Sequence, residues 1–151
     1  MTAGAGATAR RAVSPLVPER SEATIVPEVP MAVRVLVVDD QLPFRLAMTA
    51  VVEATDGFEV VGEAASGEDS VDACAALAPD LVLMDVNLPG IDGLEATRRI
   101  RAASPAPVVL LLSTYDAAEG EAFAAESGAV GYVTKSELAP DRITAAWASA
   151  G

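Results

Sequence analysis

Three aspartates in this chain stand where a cation and a phosphoryl group could both be held. Asp39 and Asp40 close the apolar run VRVLVV (33–38), and Asp85 closes the apolar run LVLM (81–84). Carboxylates gathered in a poorly solvated cleft raise one another's pKa, and a bound cation removes that cost. An all-oxygen cluster suits magnesium, which keeps several waters and uses few carboxylates. The hydroxyl pair Ser113–Thr114 ends a fourth apolar run, and Lys135, the only lysine, follows a fifth. An aspartate can act as a nucleophile toward phosphorus and form an acyl phosphate. That transfer needs positioning and charge neutralisation above all. Magnesium supplies the largest charge, the lysine a second point charge, and a hydroxyl a hydrogen bond to a phosphoryl oxygen. Each residue alone has a dull reading as a helix cap, a turn hydroxyl or a solvated charge. The combination at separate strand ends carries the argument.

The elements that must position these groups follow from the pattern. Apolar runs at 33–38, about 58–64, 80–84, about 108–113 and 130–133 read as strands. Between them lie amphipathic stretches. Pro43 suits a first helical turn, and a stripe from Phe44 through Leu46, Ala47, Ala50 and Val51 reaches about residue 54. Ser66 and Asp69 suggest a helix start, with helix expected over 69–78 and Pro79 beyond it. Further helices are expected over about 93–103 and 117–127, the latter capped by Asp116 and ended by Gly128, with a short last one from Pro140. Five β-α units of this kind build a parallel sheet covered on both faces. In such sheets ligands bind beyond the carboxyl ends of the strands. Asp39, Asp40, Asp85, Ser113, Thr114 and Lys135 all converge there.

Composition narrows the function further. The 151 residues suit about one domain, and 52% are hydrophobic, enough for one modest core. No apolar run approaches the roughly 18 residues that span a bilayer, and Arg10–Arg11 lead into no signal-like stretch. The expected location is the cytoplasm. Net charge is −12, and residues 31–151 carry all of it, with seven basic and nineteen acidic side chains. Nucleic-acid binders show the opposite balance. With no histidine, the chain has no Ser-His-Asp triad, no imidazole zinc ligand and no phosphohistidine. Cys74 is the lone cysteine and reads as buried filler. Residues 1–30, rich in Ala, Gly, Ser and Pro, read as a disordered extension, or as lying upstream of a true start at Met31.

The segments VLVVDD, LVLMDVNLPGIDG, VVLLLSTYD and GYVTK, with their spacing, resemble the receiver domain of two-component response regulators. The likeness runs from about 33 to 149. DVNLPGIDG followed by LEATRRIR, together with STYD, is most similar to receivers of helix-turn-helix transcriptional regulators. The resemblance implies a flavodoxin-like, doubly wound α/β fold with strand order 2-1-3-4-5. It implies Asp85 as phosphoacceptor, Asp40 as direct magnesium ligand, Asp39 as its neighbour and the Asn87 backbone carbonyl as a further ligand. Ser113 corresponds to the switch hydroxyl, Lys135 to the phosphate-binding lysine, and Tyr132 to the aromatic that reorients on activation. Pro89 and Gly90 correspond to the loop after the phosphoacceptor. Thr114 departs from the alanine many receivers carry there.

The resulting expectation is a single-domain response regulator that is a signalling switch and not an enzyme. A sensor histidine kinase or phosphotransfer protein would supply the phosphoryl group, and a protein partner, with homodimerisation open, would receive the output. The chain ends at Gly151, where the subfamily continues into DNA-binding helices, so no direct contact with nucleic acid is expected. Three rivals stand beside it. The first is a truncated transcriptional regulator. The second is a magnesium phosphatase of the haloacid dehalogenase type, which needs Asp-x-Asp where this chain has Asp85-Val86-Asn87. The third is an unphosphorylated pseudo-receiver that serves as a binding module.

Overall fold

The computed structural model describes residues 31–151, so the reading of residues 1–30 as an extension lies outside the described residues. Strands and helices alternate. They are β1 (Val33–Val38), α1 (Leu42–Glu53), β2 (Phe58–Ala64), α2 (Gly67–Leu77), β3 (Leu81–Asp85), α3 (Gly93–Ala102), β4 (Val108–Ser113), α4 (Ala117–Ser127), β5 (Gly131–Thr134) and α5 (Pro140–Ala150). The strands form one sheet in the order β2-β1-β3-β4-β5, all neighbours parallel. This is the expected doubly wound fold. Reversal of strand order beside β1 opens a crevice between the ends of β1 and β3, where Asp39, Asp40 and Asp85 sit.

The core explains why these runs are strands. Successive side chains alternate between faces. Leu36, Val38, Val82, Met84, Val109 and Leu111 pack on one side with Ala96, Ile100 and Ala124 of α3 and α4. Val35, Val37, Leu81, Leu83, Leu110 and Leu112 pack on the other with Met48, Val52 and Ile143 of α1 and α5. Every residue of β3 is buried, as a central parallel strand requires. Each fully buried large apolar side chain is worth roughly 1.5–3 kcal/mol relative to exposure. The central strands are therefore rigid supports for what their ends carry.

Helix starts are chemically marked. Ser66, Asp92 and Asp116 accept the amides of Asp69, Glu95 and Glu119 through their side chains. Pro43 and Pro140 occupy the first turns of α1 and α5. Several boundaries differ from expectation by a residue or two, including β5 at Gly131–Thr134 in place of 130–133. α2 begins at Gly67 because Ser66 itself is the cap, and β3 runs through Asp85 because that residue still pairs with Leu112 of β4. The phosphoacceptor candidate is thus the last residue of the strand and shares its rigidity. Cys74 is half-buried, and burial pushes its thiol up to about 11, consistent with packing rather than reactivity. Among the described residues no helix is long and apolar enough to cross a membrane.

Candidate phosphoryl and metal site

Four strand ends build the site. Asp39 follows β1 and is completely buried, its amide donating to Ala64 O at 3.1 Å. Its Oδ1 accepts the Gln41 amide at 2.9 Å, which locks its rotamer. Asp40 is exposed and turns toward the cavity. Asp85, 2% exposed, stands opposite on β3. Carboxylate oxygens of Asp39, Asp40 and Asp85 all lie within 4.8 Å of one another. Together with Gln41, Phe44, Asn87, Ser113, Thr114 and Lys135, Asp40 and Asp85 line a cavity of about 260 Å³.

Lys135 closes the cluster from β5. It lies at the start of a one-turn 3-10 helix (Lys135–Glu137), and its Nζ is 2.7 Å from Asp39 Oδ2 and 3.5 Å from Asp85 Oδ2. The Asp39 contact has ion-pair distance but not hydrogen-bond alignment, so the buried Oδ2 retains an unfilled acceptor direction. Burial first, and the Asp39 charge second, push the Asp85 carboxyl up to about 6, against the opposing pull of Lys135. Three clustered carboxylates with one buried oxygen unfilled are a donor set that fits magnesium.

The loop after β3 brings the remaining groups together. Gly93 is required where α3 begins, because a Cβ there would run into the Asp85 carbonyl. The Asn87 amide donates to Asp85 Oδ1 at 3.4 Å, and its side-chain amide donates to Ser113 Oγ at 3.3 Å. Tyr115 OH donates to Asn87 Oδ1 at 3.3 Å, and Tyr132 OH to the Tyr115 carbonyl at 2.7 Å. A relay of contacts therefore links the buried Ser113 hydroxyl to Tyr132 through Asn87 and Tyr115, which joins by its phenol on one side and its backbone carbonyl on the other. Tyr132 lies inward, packed so closely on Gly120 of α4 that a Cβ on that residue would overlap the ring. Pro89 and Gly90 shape the outer loop. Gly90 has φ +73°, and the neighbouring Ile91 amide donates to Glu68 Oε2 at 3.1 Å.

Of the seven expected site residues, Asp40, Asp85, Asn87, Ser113 and Lys135 line one cavity, Asp39 stands beside it in the carboxylate cluster, and Tyr132 lies away from it against Gly120 of α4. Thr114 also faces the cavity but is exposed. Three neighbours were not singled out in the sequence. Phe44 holds its ring 3.9 Å from Lys135 Nζ. Arg45 donates to the Asp39 carbonyl, and Tyr115 enters the relay. Phe44 belongs to the apolar stripe of α1, yet it is 39% exposed and stands at the site rim. Nothing local distinguishes it. Arg45 had one available signal, a cation one helical turn after an acidic pair.

Comparison with known proteins agrees with this geometry. Residues 35–148 match the response regulator receiver domain family. The response regulator GacA of Pseudomonas viridiflava is 43% identical over 103 residues, 68% of this chain and 48% of that protein. UvrY of Escherichia coli O6:H1 is 40% identical over 114 residues, 76% of this chain and 52% of that protein. A protein-glutamate methylesterase/protein-glutamine glutaminase of Vibrio parahaemolyticus is 38% identical over 106 residues, 70% of this chain but 29% of that protein. The chain thus spans about half the length, or less, of these curated relatives. A LuxR-family two-component response regulator from Aurantimonas sp. SI85-9A1 superposes with TM-score 0.71 at 35% identity, covering 78% of this chain and 86% of that one. The signal receiver domain of the NarL regulator from Mycobacterium tuberculosis gives 0.73 at 29% identity, covering 79% and 98%. With its family match, its strand order and its acidic cavity in agreement, this chain belongs to the response regulator receiver domain family.

Proposed function

We propose that the chain is a phosphorylation-driven signalling switch in which Asp85 is the phosphoacceptor. The supporting observation is the pairing of Lys135 with both Asp39 and Asp85 at the edge of a three-carboxylate cluster. An Asp85 carboxylate oxygen attacks the phosphorus of a phosphohistidine on a partner kinase or phosphotransfer protein. The P–N bond breaks, its electron pair leaves on the imidazole nitrogen, and an acyl phosphate remains. Asp39, Asp40, Asp85 and the Asn87 carbonyl would hold a magnesium ion, which would supply charge neutralisation for the phosphoryl oxygens. Lys135 supplies the second positive charge, and the Ser113 hydroxyl donates to a phosphoryl oxygen. Water hydrolyses the acyl phosphate and resets the switch.

The relay gives the chemistry an output. Recruiting Ser113 to the phosphoryl group breaks its bond from Asn87, which shares Tyr115 with Tyr132. The phosphoryl contacts then bias an equilibrium between two arrangements of Tyr132, α4 and their loops. The output is docking of a protein partner. A net charge of −12 disfavours direct contact with nucleic acid. The reading is tested by NMR with a small phosphodonor and magnesium. Amide shifts spreading from Asp85 through Tyr115 to α4 are expected, and shifts that stop at the cavity would contradict a switch. Ser113→Ala should keep phosphorylation and lose the spread.

A further inference from the structure

We infer that Arg45 is a positioning residue for the magnesium site, fixing the peptide between Asp39 and Asp40 without touching the ion. The inference rests on the proposed metal-dependent function. Arg45 lies in the first turns of α1, and its side chain is only 17% exposed. Its Nη1 donates to the Asp39 carbonyl at 2.8 Å, and its Nε donates to Glu63 Oε1 at 3.1 Å near the end of β2. One guanidinium therefore joins α1, the end of β1 and the end of β2. Its rigid fork makes both bonds at once, which an ammonium on a flexible stem does not do.

The position of the bond gives it meaning. The Asp39 side chain is held independently, by burial and by the Gln41 amide. Asp40 is exposed, and among the described residues its carboxylate has no side-chain hydrogen bond or ion pair to hold it, so its placement leans on the backbone that carries it. The Asp39 carbonyl belongs to the peptide plane that leads into Asp40. Holding that carbonyl restrains the ψ of Asp39 and the orientation of the planar peptide from which the Asp40 Cα departs, and so limits where its carboxylate can sit. Without the bond, three mutually repelling carboxylates would push Asp40 outward into water. Groups that orient ligands in this way commonly change metal affinity by about tenfold or more when removed.

Electrostatics alone makes the opposite prediction, and this separates the two explanations. A guanidinium beside the site repels a dication, so deleting its charge should tighten magnesium binding. Positioning predicts weaker binding when the fork is lost. The decisive variant is Arg45→Lys, which keeps the charge and loses the two-pronged geometry. Arg45→Met removes both, and Glu63→Gln keeps an acceptor for Nε while removing a charge. Magnesium affinity is measured by titration calorimetry on the full chain, beside hydrogen exchange of the metal-free proteins. The expected result is about tenfold weaker binding in Arg45→Lys and Arg45→Met, with near wild-type binding in Glu63→Gln. Exchange of the Gln41 amide and of the β3 amides should stay near wild type, because the Asp39 side chain is held independently, so that the lost affinity is not a loss of the surrounding fold. Equal or tighter binding by the folded Arg45→Lys protein would overturn the inference while leaving the site reading intact. If the wild type shows no saturable binding, the metal-site reading fails and the inference falls with it. Should Arg45→Met fail to fold, Arg45→Lys and Glu63→Gln still decide the sign.

Discussion

Lys135 sits closer to Asp39 than to the aspartate it would serve, with its Nζ 2.7 Å from Asp39 Oδ2 against 3.5 Å from Asp85 Oδ2. In this state the ammonium neutralises the most deeply buried carboxylate of the cluster. A phosphoryl group on Asp85 offers it a denser negative charge. The same side chain therefore stabilises the resting site and reads out its modification.

Removing that charge should have two opposite effects. Lys135→Ala leaves two buried carboxylates without their counter-ion, so the metal-free protein should lose about 2 kcal/mol or more. Magnesium, freed from a competing cation, should bind more tightly. Lys135→Arg should bind magnesium but transmit less of the phosphodonor-induced change, because a planar fork replaces a compact point charge. Denaturation in chelator and magnesium titration measure the first two effects, and amide shifts measure the third. Unchanged stability and unchanged shifts in Lys135→Ala would mean that Lys135 is an ordinary surface charge.

Asp40 should behave differently from its neighbours because it is exposed. Asp40→Ala removes repulsion at little cost in packing. The metal-free melting temperature should hold or rise, while magnesium affinity should fall by roughly tenfold or more. Calorimetry in the presence and absence of magnesium checks both halves, and retained affinity would exclude Asp40 as a ligand.

The Asp85 carboxyl, pushed up to about 6, ties stability to pH. A carboxyl with a raised folded-state pKa binds its proton more tightly folded than unfolded. Its favourable contribution is complete below about pH 4 and is lost as pH rises through about 6. In chelator, the wild type should therefore lose stability relative to Asp85→Asn between those limits. Magnesium competes with the same proton, so its apparent affinity should climb steeply from pH 5 to 7. Parallel stability curves for the two proteins would show that Asp85 titrates normally.

Gly120 and Tyr132 should be coupled. Gly120→Ala places a methyl group against the Tyr132 ring and should cost about 1–3 kcal/mol. The double variant with Tyr132→Ala should recover most of that contact penalty in a mutant cycle by denaturant unfolding. Additive effects would mean that the ring moves aside freely.

The parts of this molecule legible in the sequence are those governed by local rules. β1, β3 and β4 are continuous apolar runs ending in polar residues, so Asp39, Asp40, Asp85 and Ser113 could be placed at one sheet edge without coordinates. The caps Ser66 and Asp116 were equally visible. Asp92, three residues before Glu95, carries the same signature at the head of α3. Phe44, Arg45 and Tyr115 were not legible because their roles depend on distance through space. Arg45 meets Glu63 across 18 residues, and Phe44 meets Lys135 only once α1 and β5 flank the same crevice. The inward setting of Tyr132 likewise requires a glycine on a separate helix.

The central claim is that Asp85 alone accepts the phosphoryl group. Intact-protein mass spectrometry after treatment with a small phosphodonor and magnesium tests it most directly. The wild type should gain the mass of one phosphoryl group, labile to base and absent when magnesium is chelated. Asp85→Asn should gain none. A phosphoryl adduct on Asp85→Asn equal to that on the wild type would contradict the account.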